Sequence, residues 1–153
     1  MQQFDLIIIG GGPGGYLCAE RAGKAGLRTA LLEKRALGGT CLNEGCIPTK
    51  SLLYCAKQYQ TMLHCEEYGI AAQNVSYDHA AAVVRKDGIV QTLVRGVGVS
   101  MKKHGVAVFS TEGKITGKTG DLFTVSAGAE SLFAPRLVLA SGSSAVVPPI
   151  PGV

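Results

Sequence analysis

Phe4-Asp5-Leu6-Ile7-Ile8-Ile9-Gly10-Gly11-Gly12-Pro13-Gly14-Gly15 stands almost at the start of this chain of 153 residues. A short, nearly continuous apolar run that stops at a glycine suits a strand buried on both faces of a parallel sheet. From Pro13 to about Ala25 the pattern turns helical, rich in alanine and small residues, and Gly26 ends it. Arg28 to Glu33 is a second apolar run, and it closes on an acid. Strand, glycine-rich turn, helix and strand within about thirty residues make a βαβ unit. The predicted fold class is therefore α/β, with a parallel sheet built outward from this unit.

The glycines fall at 10, 12 and 15, the G-x-G-x-x-G spacing. Gly10 permits a tight turn, Gly12 lets the backbone approach a pyrophosphate, and Gly15 lets the helix pack on the strand. The helix then offers free N–H groups and the positive end of its dipole to phosphate oxygens. A bare match to this spacing could be no more than a flexible turn. Here Glu33 follows eighteen residues after Gly15, at the end of the second strand, where a carboxylate can accept both hydroxyls of an adenosine ribose. The unit is predicted to bind a dinucleotide. A second phosphate-loop look-alike, Gly117-Lys118-Thr119, lacks the glycine that a Walker A loop needs at position 112, where Glu112 stands, and reads as a turn with a solvated lysine.

Beyond the unit, residues 34–46 read as loop. A helix is predicted from near Pro48 to about Tyr68, before Gly69. Ser76 or Asp78 could cap another that runs to Lys103, with apolar residues at 90, 93, 94, 97 and 101, although Gly88, Gly96 and Gly98 weaken the pattern. Short runs at 106–110, 114–118, 121–126 and 131–134 then suggest an antiparallel meander, and residues 137–140 another buried strand. The last stretch, Val147 to Val153, carries three prolines and reads as a linker. The expected organisation is one nucleotide-binding unit over 1–147, followed at 148–153 by the start of a connection.

Composition agrees with a folded domain. The chain is 46% apolar, enough to offset ordering entropy, and its 21 glycines follow no collagen period. Fifteen Lys and Arg against eleven Asp and Glu give +4, but the cations are scattered and form no basic patch of the kind that binds nucleic acid or a membrane surface. The opening residues are not a cationic leader, and the apolar run at 6–9 is too short for a signal core or a membrane span, so a cytoplasmic setting is expected.

Five cysteines, at 18, 41, 46, 55 and 65, are an odd number in a chain able to form its own core. Cys41 and Cys46 lie five apart, near the predicted start of a helix, where the dipole is expected to favour thiolate. A disulfide closing so short a loop adds little stability and opens readily, which suits catalysis better than stapling. Two other readings stay open on spacing alone: a pair of buried thiols, or a zinc site completed by His64 and Cys65.

The thirteen residues from Gly38 to Lys50, Gly-Gly-Thr-Cys-Leu-Asn-Glu-Gly-Cys-Ile-Pro-Thr-Lys, closely resemble the redox-active motif of the flavin-dependent disulfide oxidoreductases. Leu42 and Ile47 make it most similar to the dihydrolipoyl dehydrogenase branch; glutathione reductases favour Val at both places, and mercuric reductases are also similar. The glycine loop running into Tyr16 fits, as does Leu139-Ala140-Ser141-Gly142-Ser143, with Ser141 where Thr is commoner. The resemblance implies a Rossmann-type FAD-binding domain with a parallel sheet, a helix pair and a β-meander.

It also implies that Gly10, Gly12, Pro13, Gly14 and Gly15 hold the FAD pyrophosphate and Glu33 the adenosine ribose, with Lys34 nearby. Glu112 and Gly113 would contact adenine, and Ala140, Ser141 and Gly142 would cross the pyrophosphate a second time. Gly39, Thr40 and Cys41 would flank the cofactor, with Lys50 reaching the flavin ring. Cys46 would be the flavin-facing thiol and Cys41 the interchange thiol. Electrons would pass from dihydrolipoyl groups through Cys41–Cys46 and FAD to NAD⁺.

Implied partners are the lipoyl-bearing subunits of 2-oxo acid dehydrogenase or glycine cleavage complexes and, for a full-length chain, a second copy. No metal is implied. Family members are longer, with an NAD domain, a dimer domain and a C-terminal histidine base that match nothing in these residues. On that basis the chain alone is expected to be an inert cofactor-binding portion, and His64, His79 and His104 inherit no role.

Overall fold

The computed structural model describes residues 2–152. Twelve elements follow the order β1 (Gln2–Gln3), β2 (Leu6–Ile9), α1 (Pro13–Lys24), β3 (Thr29–Leu32), α2 (Gly39–Asn43), α3 (Cys46–Leu63), α4 (His79–Lys103), β4 (Ala107–Phe109), β5 (Gly113–Thr119), β6 (Leu122–Ala127), β7 (Glu130–Ala134) and β8 (Leu137–Leu139). A 3-10 turn at Cys65–Tyr68 follows α3.

Two four-stranded sheets result. One is wholly parallel, in the order β4-β3-β2-β8; the other runs β1-β7-β6-β5, an antiparallel meander with β1 added in parallel to β7. Because side chains alternate along a strand, β2 and β3 feed two cores at once. Ile7, Ala30 and Leu32 point toward the meander and pack with Phe4, Val125, Ala127, Leu132 and Ala134. Leu6, Ile8 and Leu31 point the other way, against Ala19 and Ala22 of α1, Met101 of α4 and Val106. The parallel sheet is thus the middle of three layers. Ile7, Ile8 and Leu31 are fully buried, and each contributes about 1.5–3 kcal/mol of transfer free energy.

The predicted βαβ unit is present, with each strand shorter than its apolar run. Of the two candidate caps for α4, Asp78 is the one used: its carboxylate accepts from the Ala81 N–H at 3.0 Å. Four expectations need correction. The strand expected as buried at 137–140 is β8, which lies at the edge of its sheet with Leu139 65% exposed. The run at 106–110 does not join the meander; β4 pairs in parallel with β3, from Ala30–Ala107 to Leu32–Phe109. The loop at 34–46 contains a helix, α2, and the helix expected from Pro48 begins at Cys46 and breaks at His64. Gly117-Lys118-Thr119 is no turn. It lies in β5 beside a bulge, with Lys118 over the Phe123 ring at 4.9 Å. Among the described residues no helix is long and apolar enough to cross a membrane.

Candidate active site

The ends of β2, β3 and β8 meet at the glycine loop. The N–H of Gly10 donates to the Leu32 carbonyl at 2.8 Å, and that of Ala140 to the Ile9 carbonyl at 2.8 Å. Gly10 takes φ +108°, and a Cβ there would lie 2.1 Å from the Ala140 oxygen. At Gly15 a Cβ would stand 1.7 Å from the Gly10 carbonyl oxygen, so only glycine lets α1 close on the strand end. Gly12 differs: its nearest neighbour would be the Gly39 Cα, 3.8 Å away.

Gly12 also caps α1, with Pro13 next, no side-chain cap and no acid in the first turn. The helix therefore keeps its first N–H groups and dipole end for an anion. Pro13 and Gly14 are exposed on that side. A dinucleotide pyrophosphate fits these residues.

Glu33 is half-buried directly below. One carboxylate oxygen accepts from the Gly11 N–H at 2.7 Å and the other from the Arg35 N–H at 2.7 Å. A carboxylate can accept further bonds on its remaining lone pairs, so Glu33 can brace the loop and still receive ribose hydroxyls. Beside it opens a cleft of ≈ 150 Å³ whose lining includes Gly10, Glu33, Lys34, Glu112, Gly113 and Ser141. Six residues singled out from four separate stretches of sequence thus share one surface. Lys114 and Lys34 approach Glu112 at 3.4 and 3.5 Å, and they hold its carboxyl below the usual range, Lys114 chiefly through a hydrogen bond.

The cysteine segment is docked onto this cradle. The Gly38 N–H donates to the Gly11 carbonyl at 2.8 Å, and a Cβ on Gly39 would lie 2.7 Å from the Gly12 Cα. Asn43, a residue the sequence reading left without a role, braces the loop by donating to the carbonyls of Leu37 and Gly39 at 3.1 and 2.9 Å. Arg35 and Glu44 were missed as well, and they form an ion pair. Their only sequence signal was position, one just past Glu33 and the other between the cysteines. Thr40 is exposed in α2, while Ala140 is half-buried after β8 and Gly142 is exposed beyond it.

Cys41 is half-buried in α2, and Cys46 is the exposed first residue of α3; both are free thiols. The expectation of a dipole-depressed Cys41 is corrected. Its thiol is pushed above the usual cysteine range, first by its hydrogen bond to the Cys46 side chain, then by burial and by repulsion from a charge on Cys46. The Cys46 backbone N–H and the Lys50 ammonium pull the other way.

His64 and Cys65 lie beyond the far end of α3, an 18-residue helix of ~27 Å by its rise, so they cannot join Cys41 and Cys46 around one ion. Among the described residues no group of three or more His, Cys, Asp or Glu gathers as a metal site.

A Rossmann-like cradle with a dithiol loop locked against it defines a redox domain of the flavoprotein reductase class. The chain belongs to the pyridine nucleotide-disulphide oxidoreductase family, whose profile matches residues 4–153. It is 44% identical over 153 residues to a dihydrolipoyl dehydrogenase of Acholeplasma laidlawii, covering 99% of this chain and 44% of the relative. It is also 44% identical over 150 residues to the enzyme of that name from Pseudomonas aeruginosa, covering 95% and 32%. The chain therefore spans less than half the length of these relatives. Among solved structures it resembles the Cu(II) complex of the HOCl-induced flavoprotein disulfide reductase RclA of Escherichia coli, with a TM-score of 0.77 and 28% identity over 97% of this chain and 30% of that one. The architecture is that of the FAD-binding domain of flavoprotein reductases.

Proposed function

We propose that the chain is the FAD-holding part of a dihydrolipoyl dehydrogenase, with Cys41 and Cys46 as its dithiol. The observation that carries this reading is the seam between the two loops: the Gly38–Gly11 hydrogen bond and the Gly39–Gly12 contact set the cysteine loop beside the phosphate cradle. Gly10, Gly12, Pro13, Gly14 and Gly15 would hold the pyrophosphate, with Ala140, Ser141 and Gly142 on its other side. Glu33 would take the ribose. Lys34, Glu112 and Gly113 would line the adenine end, while Gly39, Thr40, Cys41 and Lys50 would border the flavin. When bound, FAD would supply a two-electron acceptor that passes the pair on to NAD⁺.

The chain's own part is thiol–disulfide exchange. In the oxidised state, with Cys41 and Cys46 joined by a disulfide, a substrate thiolate attacks the Cys41 sulfur: the Cys41–Cys46 bond breaks, a new S–S bond to the substrate forms, and Cys46 leaves as thiolate. The second substrate thiol then attacks its partner sulfur and releases Cys41. The substrate leaves as a disulfide, and Cys41 and Cys46 hold the two electrons. The Lys50 cation acts on Cys41, favouring its thiolate. Lipoyl-bearing subunits of 2-oxo acid dehydrogenase or glycine cleavage complexes would bring such a dithiol, in a cytoplasmic, reducing setting. A second copy of the longer chain would complete the enzyme.

The test is to graft residues 1–153 into the Pseudomonas aeruginosa relative in place of its matching segment. The chimera is expected to hold FAD and to reduce NAD⁺ with dihydrolipoamide, and Cys46→Ser to abolish turnover. A chimera that holds FAD and is reduced by NADH, yet ignores dihydrolipoamide, overturns the substrate; one that folds without FAD overturns the cofactor.

A further inference from the structure

The cleft beside the glycine loop has a floor and a rim of different character. Its floor is apolar, made by Ile9 and the fully buried Leu32, the last residues of β2 and β3. Gly113 is pressed onto that floor, since a Cβ there would lie 2.9 Å from Leu32 Cδ2 and 3.2 Å from Ile9 Cγ1. The rim is charged and exposed. Lys34 stands just past the end of β3, and Glu112 stands in the connection after β4, the strand paired with β3. Lys34 Nζ lies 3.5 Å from Glu112 Oε1, with 62% and 51% of the two side chains exposed. The ion pair therefore joins two neighbouring strand ends on the solvent side of an apolar slot. The other carboxylate oxygen, Oε2, meets Lys114 of β5 at 3.4 Å, so the two lysines hold Glu112 without competing for one atom.

We propose that the Lys34–Glu112 ion pair is a strap across the adenine end of the FAD site, and that it slows release of the nucleotide. The inference rests on the reading of this cleft as the seat of the adenosine. At ≈ 150 Å³ the slot suits one ring system and not a whole dinucleotide. A lysine can lay its methylene stem along an apolar surface and keep its ammonium in water. Lys34 can thus cover a ring seated on Ile9 and Leu32 while its charge stays on Glu112. Lys114 is a positioning residue for the strap, since it fixes the second oxygen of the same carboxylate. Exposed pairs add little to the stability of a fold. The effect of this one falls on the rim, where the nucleotide leaves once the two charges part.

The experiment uses the chain itself, loaded with FAD, and follows release on dilution by the return of flavin fluorescence to its free value. Wild type must first bind FAD. A folded chain that does not bind it overturns the reading of the cleft, and the inference with it. Lys34→Gln and Glu112→Gln are each expected to release FAD about two- to fivefold faster at low salt. Removing a cation and removing an anion act oppositely on any general attraction for the pyrophosphate, so only a broken strap makes both variants faster. Lys34→Gln/Glu112→Gln should release no faster than the faster single variant, because the pair is lost only once. Lys114→Gln should show a smaller change in the same direction, and Lys34→Arg should stay near wild type. At about 0.5 M NaCl the gap between wild type and the single variants should close, since screening weakens the pair. ADP, which carries the adenosine and pyrophosphate without the flavin, should lose affinity in the same order. A Glu112→Gln chain that holds FAD more tightly overturns the strap. So do single variants that release like wild type, single effects that add in the double variant, or a loss for FAD that ADP does not share.

Discussion

The glycine loop and the dithiol loop touch, yet they are built on opposite principles. At Gly10 and Gly15 the structure depends on a missing side chain, and a Cβ would run into a backbone oxygen at 2.1 and 1.7 Å. In the dithiol loop it depends on side chains that are present: two thiols, the Asn43 amide and the Arg35–Glu44 pair. Errors in the first should act through sterics and appear as lost fold. Errors in the second should leave the fold and change the chemistry. That contrast also separates residues that hold the cradle's shape from those that would meet a cofactor.

The sharpest way to break it is to make one substitution in two places. Gly15→Ala forces α1 off the end of β2 and is expected to cost about 3 kcal/mol or more, since backbone cannot yield as a flexible side chain would. Gly88→Ala, in the middle of α4 with nothing near its Cβ, is expected to stabilise by ~0.5–1 kcal/mol through helix propensity. Urea unfolding at constant m-value measures both. Similar costs at the two sites would mean that the cradle tolerates a side chain, and the steric account of the glycine loop would fall.

Gly12→Ala sharpens the contrast from within the loop. Its Cβ would meet nothing of this chain closer than 3.8 Å, so the loss of stability should stay within about 1 kcal/mol, the usual scale of an N-cap change. On the reading proposed above, that open side faces the pyrophosphate, and FAD affinity should drop about tenfold or more, measured by quenching of flavin fluorescence. An unchanged affinity would remove Gly12 from the contact surface while leaving the other glycines in place.

The unequal origins of these regions explain what could be read from the sequence. Strand, glycine loop and α1 are local, with their periodicity and their glycines all lying within about thirty residues, and they stand where the pattern put them. The run at 106–110 has the same texture as its meander neighbours, but its partner is β3, more than seventy residues earlier. No local pattern carries that pairing. Helix α2 is five residues long, too short for a period to show. Glu33 and the glycines could be picked out because their chemistry is tied to spacing, whereas Arg35 and Glu44 became visible only once the chain had folded one against the other.

The smallest expected effect lies in the dithiol loop, and its sign is the informative part. Cys41 holds its proton more tightly than an ordinary thiol, chiefly because of Cys46, so its alkylation should reach half-maximal rate at a higher pH than that of free cysteine. Cys46→Ala removes the hydrogen bond and the repelling charge, and the midpoint should move down. Lys50→Gln removes a cation that stabilises the thiolate, and the midpoint should move up by a smaller amount. Linkage gives the matching trend in stability: a thiol whose native pKa is raised contributes fully below its unfolded value, and the contribution fades as pH rises through the native one. Stability from this source should therefore fall only on the alkaline side, and in Cys46→Ala the fall should shrink. A midpoint that stays put in Cys46→Ala would mean that the two thiols titrate independently, and the dithiol loop would lose the coupling that sets it apart from the glycine loop.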